Sequence, residues 1–390
     1  MTTWRVPLFD TRFGPEEEAA VLRPLRAGWL TTGEEVLRLE EELCAASGAK
    51  HAVAVSSCTA ALQLACVALG VGPGDEVVCP TLTFVAGANA AVTLGARARL
   101  CESVGPHDLT MDPASAATLL GPRTKAVIAV HYAGFACRME ELLPVAAARG
   151  VPVVEDCAHA LFTTYRGKTL GLHGRVGCFS FFSNKNITCG EGGALLTDDG
   201  TLADELRRLR SHGMTAATLD RHRGRASSYD VLRPGFNYRL DEIRAALLRV
   251  QLKRLPEYLE RRRALFALYA DRLADTPVTL PFAGPDRRDE YGSTAIHILP
   301  VLLPAGTDRA GVMARLKAAG IQTSIHYPPI HTFAAYREPR QDLPRTEALA
   351  GRQLTLPFYP AMALADVDLV VRELLGALGR QPAAALMAAC

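Results

Sequence analysis

The chain lacks two features that would place it at a membrane or on nucleic acid, namely a long hydrophobic run and an excess of one charge. Although 49% of its 390 residues are hydrophobic, no stretch approaches the roughly 20 consecutive apolar residues of a bilayer-spanning helix. The first residues, MTTWRVPLFDTRFGPEEE, contain no apolar core preceded by basic residues. The formal net charge is only +2, which provides little attraction for nucleic acid or an anionic membrane. We therefore expect a cytoplasmic globular protein with neither partner.

The ten cysteines show neither the pairing of disulfides nor the spacing of metal ligands. They occur singly, at positions 44, 58, 66, 79, 101, 137, 157, 178, 189 and 390, without a CxxC pair. Most lie in apolar surroundings, so we expect reduced core thiols and no metal. A glycine-rich dinucleotide fingerprint is also missing, because residues 56–61 at the first strand-to-helix turn are SSCTAA. This absence argues against a nicotinamide-dependent oxidoreductase.

Short apolar runs alternate with helical segments through the first half of the chain. The runs at 51–55, 76–79, 126–130 and 151–154 are separated by helical patterns at 59–69, 84–94 and 140–149. This alternation predicts an α/β fold with a mostly parallel sheet covered on both faces by helices. From about Pro277 extended segments surround shorter helices, which indicates a smaller α+β domain. We expect an N-terminal arm and large domain over residues 1–256, and a connecting helix and small domain over residues 257–390.

Two of the predicted strands lead to residues that can take part in catalysis. The run at 151–154 ends in Glu155 and Asp156, and the run at 176–182 leads to Lys185, which a glycine-rich turn follows. Open α/β sheets bind ligands at the carboxyl ends of their strands. An amine for a Schiff base and an anion for a pyridinium nitrogen are what pyridoxal 5'-phosphate (PLP) requires. Asp156 and Lys185 therefore predict a PLP enzyme.

Three further stretches fit this hypothesis, and each also has a simpler interpretation. The helix start from Ser57 to Thr59 offers N–H groups and hydroxyls to a phosphate, although a serine there also serves as a helix cap. Phe84 follows the next strand and is suited to stacking on a flat ring, or to the core. Thr31 and Thr32 lie in a glycine-bounded loop that suits substrate contact or a plain turn.

Eight motifs, in their order and spacing, resemble those of the DegT/DnrJ-type sugar aminotransferases. They are GWLTTG at 28–33, AVSSCTAAL at 54–62, PTLTFVAGANA at 80–90, PRTKAVIAVHYAG at 122–134, VEDCAHA at 154–160, FSFFSNKNITCGEGG at 179–193, FNYRLDEIRAALLRVQLKRL at 236–255 and HYPPIH at 326–331. The resemblance runs from about residue 7 to residue 378. It implies the fold type I architecture of aspartate aminotransferase, with a seven-stranded type of sheet in the large domain, and PLP-dependent transamination.

The resemblance also implies roles for the residues around the cofactor. Lys185 would form the Schiff base and move the proton during transamination, and Asp156 would pair with the pyridine nitrogen. The other implied cofactor contacts are His159 at the ring hydroxyl, Phe84 on the ring face, and Ser57, Cys58, Thr59 and Ser180 at the phosphate. Cys58 replaces a glycine that is more usual in the family, so this turn must accept a β-carbon.

The resemblance implies that two subunits share each site. Asn237, in the NYR motif, would reach the cofactor phosphate of the neighbouring subunit, which makes the protein a homodimer. Arg239 would hold the carboxylate of the amino donor, implied to be L-glutamate, because a guanidinium binds a carboxylate through two hydrogen bonds. The remaining implied substrate contacts are Thr31, Thr32, His326 and Tyr327, which would line the pocket of the keto acceptor.

The sequence leaves the acceptor open. A nucleotide-linked keto-deoxysugar is the favoured acceptor, with a keto cyclitol or another small natural-product ketone or aldehyde as alternatives. The arginines at 221, 223 and 225 suit either a phosphorylated substrate or a solvated loop. A non-catalytic regulatory or binding protein on the same fold is the alternative from another class, and the intact Lys185 and Asp156 weigh against it. Some relatives carry histidine in place of the lysine and catalyse dehydration, and Lys185 argues against that chemistry.

Overall fold

Helices and strands alternate along most of the chain in a computed structural model, which describes residues 4–216, 219, 222–284, 290–337 and 341–380. The helices are α1 (Pro15–Ala27), α2 (Glu34–Ser47), α3 (Cys58–Ala68), α4 (Ala86–Val92), α5 (Pro113–Leu119), α6 (Met139–Ala147), α7 (Gly200–Leu209), α8 (Glu242–Leu273), α9 (Arg309–Ala318), α10 (Pro344–Arg352) and α11 (Leu364–Ala377). Short 3-10 turns occur at Tyr132–Gly134 and Ile330–Thr332. No helix within the described ranges is long and apolar enough to cross a membrane.

The strands form one large sheet and three small ones within the described ranges. They are β1 (His51–Val55), β2 (Glu76–Pro80), β3 (Arg97–Cys101), β4 (Ser103–Gly105), β5 (Asp108–Met111), β6 (Thr124–Val130), β7 (Val153–Asp156), β8 (Thr164–Tyr165), β9 (Lys168–Thr169), β10 (Val176–Ser180), β11 (Gly193–Thr197), β12 (Tyr291–Ser293), β13 (Leu299–Leu302) and β14 (Gln353–Leu356). The large sheet has the strand order β1-β11-β10-β7-β6-β2-β3. The small sheets are β12-β8-β9, β13-β14 and β4-β5.

The large sheet is mostly parallel, as the sequence predicts. β10, β7, β6, β2 and β3 pair in parallel, and β11 runs antiparallel between β1 and β10. Because β11 is antiparallel to both β1 and β10, β1 points the same way as the parallel strands. The carboxyl ends of β1, β2, β7 and β10 therefore lie along a single edge of the sheet, which is where ligands bind in such folds.

Both faces of the sheet are buried under helices, which explains why its strands are almost continuously apolar. On β6, Val127 and Ala129 belong to a core cluster that includes residues of α2, α5, α6 and α8. The alternate positions, Ala126 and Ile128, belong to a second cluster that includes residues of α3, α4 and α7. The alternation of side chains along a strand produces this division. The structure thus confirms the predicted α/β class.

A third core cluster lies in the C-terminal part of the chain and includes residues of β13, β14, α9 and α11. It also includes residues of the second half of α8, among them Leu265 and Tyr269. Proline is unfavourable in the interior of a helix, but α8 continues through Pro256. A proline inside a helix costs about 3 kcal/mol, and the burial of Leu255 and Leu259 in the large-domain core on either side of it offsets that cost. The division into domains at residue 256 stays a prediction.

Candidate active site

The strand ends bring residues that are far apart in the sequence to one edge of the large sheet. β7 ends at Asp156, and β10 ends at Ser180, with Lys185 in the loop that follows. β1 leads into Ser57, and β2 leads into the turn that carries Phe84. Because parallel strands end at the same edge, the fold collects an amine, a carboxylate, hydroxyls and an aromatic ring in one region.

The side chain of Lys185 is held in a half-buried position at this edge. Its backbone N–H donates to the carbonyl of Phe182 at 2.9 Å, which closes a tight turn after β10. Its Nζ lies 3.3 Å from Nε2 of His297. Burial lowers the pKa of the amine to about 8, despite the nearby negative charge of Asp156. A substantial fraction of the amine is therefore uncharged at mildly alkaline pH, as a nucleophile and base requires.

Asp156 is a buried carboxylate, with 6% of its surface exposed. Its Oδ1 accepts a hydrogen bond from the N–H of Ala158 at 3.0 Å, and the thiol of Cys58 lies 3.9 Å from the same oxygen. Burial raises the pKa of Asp156, although the Ala158 hydrogen bond and the charge of Lys185 act in the opposite direction. Among the described residues, no lysine or arginine forms an ion pair with it. Such a carboxylate matches a cationic N–H group on a ligand.

The start of α3 presents a helix N-terminus at the sheet edge, a place that suits an anion. Ser57 is the N-cap, and its Oγ accepts the N–H of Ala60 at 3.1 Å. Cys58 is buried, whereas the next residue, Thr59, is exposed. Gly193 of β11 packs closely here, because a β-carbon at that position would lie 2.4 Å from the carbonyl carbon of Ser57. The side chain of Cys58 points inward toward Asp156, so its β-carbon fits beneath the turn.

Ser180 ends β10 beside the start of α3 and is also buried, with 8% of its surface exposed. Its Oγ accepts a hydrogen bond from the N–H of Phe182 at 3.4 Å. The hydroxyl hydrogen therefore stays available to a ligand at the sheet edge. This is compatible with the predicted phosphate contact, which stays a prediction.

The orientation of His159 is fixed by hydrogen bonds at both ring nitrogens. The N–H of Ala133 donates to its Nδ1 at 3.2 Å, so the proton of the neutral ring is on Nε2. Nε2 lies 3.2 Å from the hydroxyl of Tyr327, which accepts that proton in a hydrogen bond. Burial lowers the pKa of His159 well below its usual value. Both the hydrogen bonds and the lowered pKa therefore favour a neutral imidazole.

The neighbouring segment from the C-terminal part of the chain carries His326 and Tyr327. Nδ1 of His326 lies 3.0 Å from the hydroxyl of Thr355, and burial lowers the pKa of this histidine to about 4. The ring of Tyr327 lies 5.8 Å from that of Phe84, centroid to centroid. Phe84 is 57% exposed, so one of its faces is open to a ligand. The segment from β2 and the segment from the C-terminal region thus meet above the sheet edge.

Comparison with known proteins agrees with this geometry. Residues 12–375 match the model of the DegT/DnrJ/EryC1/StrS aminotransferase family. The chain belongs to this family. It is similar to the aminotransferase TlmJ from Streptoalloteichus hindustanus, with 33% identity, a TM-score of 0.87 and coverage of 97% of this chain and 98% of the other. S. venezuelae DesV, solved with a ketimine intermediate, shows 35% identity, a TM-score of 0.86 and coverage of 95% and 98%.

A third similar structure is Helicobacter pylori PseC, an aminotransferase involved in the biosynthesis of pseudoaminic acid. It shows 27% identity, a TM-score of 0.88 and coverage of 96% of this chain and 99% of the other. Other matching structures were solved in PLP and PMP forms. The protein is therefore a PLP-dependent aminotransferase with the fold type I architecture.

The residues at the sheet edge fit the cofactor of this family. Lys185 supplies an amine of lowered pKa, and Asp156 supplies a buried carboxylate without a cationic partner among the described residues. The N-terminal turn of α3 supplies N–H groups for a phosphate, and Phe84 supplies an exposed aromatic face.

Four predicted site residues lie away from Lys185 in the single chain. Thr32 donates to the carbonyl of Leu240 at 3.0 Å, and Arg239 donates to Oγ of Ser211 at 3.0 Å. Both line a separate cavity of about 380 Å3. Thr31 is half-buried next to Thr32, and Asn237 is exposed. Their roles stay predictions.

The segment with the arginines at 221, 223 and 225 gives less support for a phosphate contact than its sequence suggests. Arg223 pairs with Glu34 at the start of α2. Arg225 is exposed. Arg221 lies outside the described residues. The predicted contact of this segment with a phosphorylated substrate stays a prediction.

His297 is a residue of the site that the sequence does not predict. It is 4% exposed, and its ring centroid lies 4.6 Å from that of His159. The only local signal is a histidine inside the apolar segment at 295–302. That signal is weak, because most histidines in such segments are core residues with satisfied hydrogen bonds.

Proposed function

We propose that this aminotransferase transfers an amino group from L-glutamate to the keto group of a nucleotide-linked keto-deoxysugar. The observation that carries the choice of acceptor is the arginine-rich cavity of about 380 Å3. Its described lining includes Arg207, Arg208, Arg210 and Arg239, against the two acids Glu40 and Asp204. An excess of cations suits a diphosphate, whereas a free cyclitol offers no charge to neutralise.

PLP, when bound, supplies an electron sink for the carbanion that forms when the donor loses its α-proton. The chain supplies the groups that hold the cofactor and move that proton. Asp156 would keep the ring nitrogen protonated, because a buried anion favours a positive charge beside it. Nζ of Lys185 would take up the α-proton of the donor and return it later in the reaction. Its lowered pKa of about 8 makes the uncharged form accessible.

His159 and Tyr327 orient the edge of the site next to the ring. Because Nδ1 of His159 accepts the N–H of Ala133, its Nε2 is a donor. Tyr327 accepts this hydrogen bond, so its own hydroxyl hydrogen is directed elsewhere. These two neutral groups offer polar contacts without adding a charge that would compete with Asp156.

We also propose that a homodimer completes each site, with Asn237 reaching the cofactor of the partner. Asn237 is exposed in the single chain. Phe84 and Phe182 at the sheet edge are 57% and 43% exposed. Large aromatic side chains at this level of exposure suit a covering surface. Two-fold dimers are also the commonest oligomers of soluble proteins.

The cavity lies next to the segment that carries the NYR motif. Arg239 pairs with Val55 at the end of β1, and the carbonyl of Tyr238 accepts the N–H of Ser56 at 2.8 Å. Arg210 pairs with Glu40, and Arg207 with Asp204. Among the described residues, Arg208 forms no ion pair with either acid. We assign Arg208 to the acceptor diphosphate, and Arg239 keeps the role in binding the donor carboxylate that the family resemblance implies.

The test is an acceptor screen in the reverse direction, with 2-oxoglutarate and either amino sugar nucleotides or amino cyclitols. Turnover of an amino sugar nucleotide with formation of L-glutamate supports the proposal. Arg208→Ala should then raise the KM for that nucleotide by about 10-fold, as loss of one charge-assisted hydrogen bond predicts. The matched control is Arg315→Ala, which removes an exposed arginine of α9. Turnover of the cyclitols alone would contradict the proposed acceptor.

A further inference from the structure

The amine of Lys185 contacts a buried imidazole that is not among the predicted site residues. Nζ of Lys185 lies 3.3 Å from Nε2 of His297. The ring of His297 packs against that of His159, with 4.6 Å between the centroids. This places His297 in direct contact with the atom that reacts.

The hydrogen bonding of His297 differs from that of an ordinary core histidine. Its Nδ1 is buried and has no hydrogen-bond partner among the described residues. Unpaired buried polar atoms are rare in folded proteins, because each costs about 1–3 kcal/mol. By contrast, His131, also buried, has both of its ring nitrogens paired. The only side-chain hydrogen bond of His297 within the described chain is therefore the one to Lys185.

The backbone of His297 is held in place from several directions. Its N–H donates to the carbonyl of Ala133 at 2.8 Å. Nη1 of Arg262 lies 3.0 Å from the carbonyl of His297 and 3.1 Å from that of Ile296. Asn186, next to Lys185, donates to the carbonyl of Ala295 at 2.6 Å. The loop that carries Lys185 and the segment that carries His297 are thus joined to each other.

Two features of the structure that holds His297 in place reduce stability, which indicates a functional constraint. Arg262 is 3% exposed and pairs with carbonyl groups, without an ion pair to any acid among the described residues. Burial accordingly lowers the pKa of its guanidinium to about 9. Ile296 has φ of 31°, a left-handed value that is strained for a β-branched residue. Strain of this kind is kept where the surroundings hold a functional residue in place.

We propose that His297 holds and orients the amine of Lys185 whenever that amine is not bonded to the cofactor. Nε2 accepts one N–H of the amine, so the nitrogen lone pair is directed away from the imidazole. The acceptor role requires that the ring proton be on Nδ1. The inference rests on the proposed role of Lys185 as the proton carrier, but not on the identity of donor or acceptor.

The charged groups around His297 favour its neutral form. Burial lowers the pKa of His297 well below its usual value, and the charges of Lys185 and Arg262 act in the same direction, as the neighbouring imidazoles of His159 and His326 do when they are protonated. His297 is therefore an uncharged acceptor over the pH range in which Lys185 titrates. Because it accepts a hydrogen bond from the ammonium form, it should keep the pKa of Lys185 higher than burial alone would.

The test measures the reactivity of Lys185 toward cyanate in the full-length chain freed of cofactor. Cyanate carbamoylates only the uncharged amine, and mass spectrometry of the Lys185 peptide gives the rate at each pH. The wild-type midpoint should lie near 8. His297→Leu should lower the midpoint by about one pH unit, because it removes a hydrogen bond to the charged form. His297→Gln, which keeps an acceptor, should restore most of that shift.

His331→Leu is the matched control, since it removes a buried histidine that bonds to Thr81 and Glu347. Its midpoint should equal that of the wild type. An unchanged midpoint in His297→Leu, or equal shifts in the Leu and Gln variants, would show a packing role and overturn the proposal. If the Leu variant does not fold, 15N spectra of the wild type decide. A proton on Nδ1 supports the proposal, and a proton on Nε2 contradicts it.

Discussion

Nε2 of His131 lies 2.8 Å from Oε2 of Glu155, and both side chains are fully buried beneath the site. The N–H of Cys137 donates to Nδ1 of His131, so Nε2 carries the proton and donates to the carboxylate. Glu155 also accepts the N–H groups of Gly171 and Gly174. The Sγ of Cys157 lies close enough for these three side chains to resemble a metal site. The hydrogen bonds explain the cluster, because they leave the ring nitrogens of His131 no lone pair for a metal.

Glu155→Gln should destabilise the protein strongly. The carboxamide would place an NH2 group against an N–H donor, and loss of hydrogen bonds to a buried charged acceptor costs roughly 1.5–3 kcal/mol. Urea denaturation at pH 7 measures the change in the free energy of unfolding. Glu141→Gln is the matched control, because Glu141 forms an exposed pair with Arg138 and should change stability by less than about 1 kcal/mol. Equal effects of the two substitutions would contradict the structural role of Glu155.

The same carboxylate predicts a loss of stability in acid. Burial favours the protonated form of Glu155, but hydrogen bonds from His131, Gly174 and Gly171 outweigh it and lower its pKa below the usual 4.5. The stabilisation is therefore present above pH 4.5 and disappears as the pH falls through the lower folded-state pKa. The stability difference between wild type and Glu155→Gln should shrink over that interval. A difference that stays constant down to pH 3 would contradict the expected linkage.

Phe84→Ala should weaken cofactor binding without affecting the fold. The ring is 57% exposed, so its removal costs little stability. Stacking of an aromatic pair contributes about 0.5–1.5 kcal/mol beyond area burial, which corresponds to a two- to about twelve-fold higher Kd for PLP. Fluorescence titration measures the Kd, and thermal unfolding of the cofactor-free chain provides the stability. Phe84→Tyr keeps the ring and should bind PLP as the wild type does. A lowered Tm with an unchanged Kd would assign Phe84 to the core.

The accuracy of the sequence predictions depends on whether the determinants are local. Asp156 and Lys185 follow apolar runs, so strand formation alone indicates that they lie at the sheet edge. His297 has no such signal, because its contact with Lys185 spans 112 positions and depends on the carbonyl of Ala133 and on Arg262. Long-range packing of this kind leaves no trace in a single sequence.

The loop with Thr31 and Thr32 illustrates the same limit. The glycines that bound it are visible in the sequence, and its break between two helices is correct. Its placement depends on Glu242, which accepts the N–H groups of Gly33 and Val36 from more than 200 positions away. Burial raises the pKa of Glu242, although these hydrogen bonds act in the opposite direction. Neither the sequence of the loop nor Glu242 alone indicates the contact between them.

Capture of PLP by the cofactor-free chain should accelerate as the pH rises. Only the uncharged form of Lys185 attacks the aldehyde, and burial lowers the pKa of this amine from 10.5 to about 8. The rate should therefore rise through a midpoint near pH 8, and not near 10.5. Stopped-flow absorbance measures the rate, and Lys185→Ala provides the control that shows no covalent capture. A midpoint above 10 would show that the amine is exposed to solvent in the cofactor-free protein.

A shared site predicts that two defective subunits complement each other. Lys185→Ala and Asn237→Ala should each be nearly inactive as pure proteins, the first by loss of the amine and the second by weaker hold on the cofactor phosphate. In a mixed dimer, one of the two sites combines Lys185 from one subunit with Asn237 from the other. Random exchange of equal amounts places half of the subunits in such dimers, so about one quarter of wild-type turnover should return.

Native mass spectrometry of differently tagged subunits verifies the exchange before turnover is measured. Pairing Lys185→Ala with Asp156→Asn provides the matched control. Both of these residues come from the same strand edge of one chain, so a mixed dimer of these variants contains no intact site. Turnover should then stay at the level of the pure variants. Recovery in this control, or no recovery with Asn237→Ala after verified exchange, would show that Asn237 serves its own subunit.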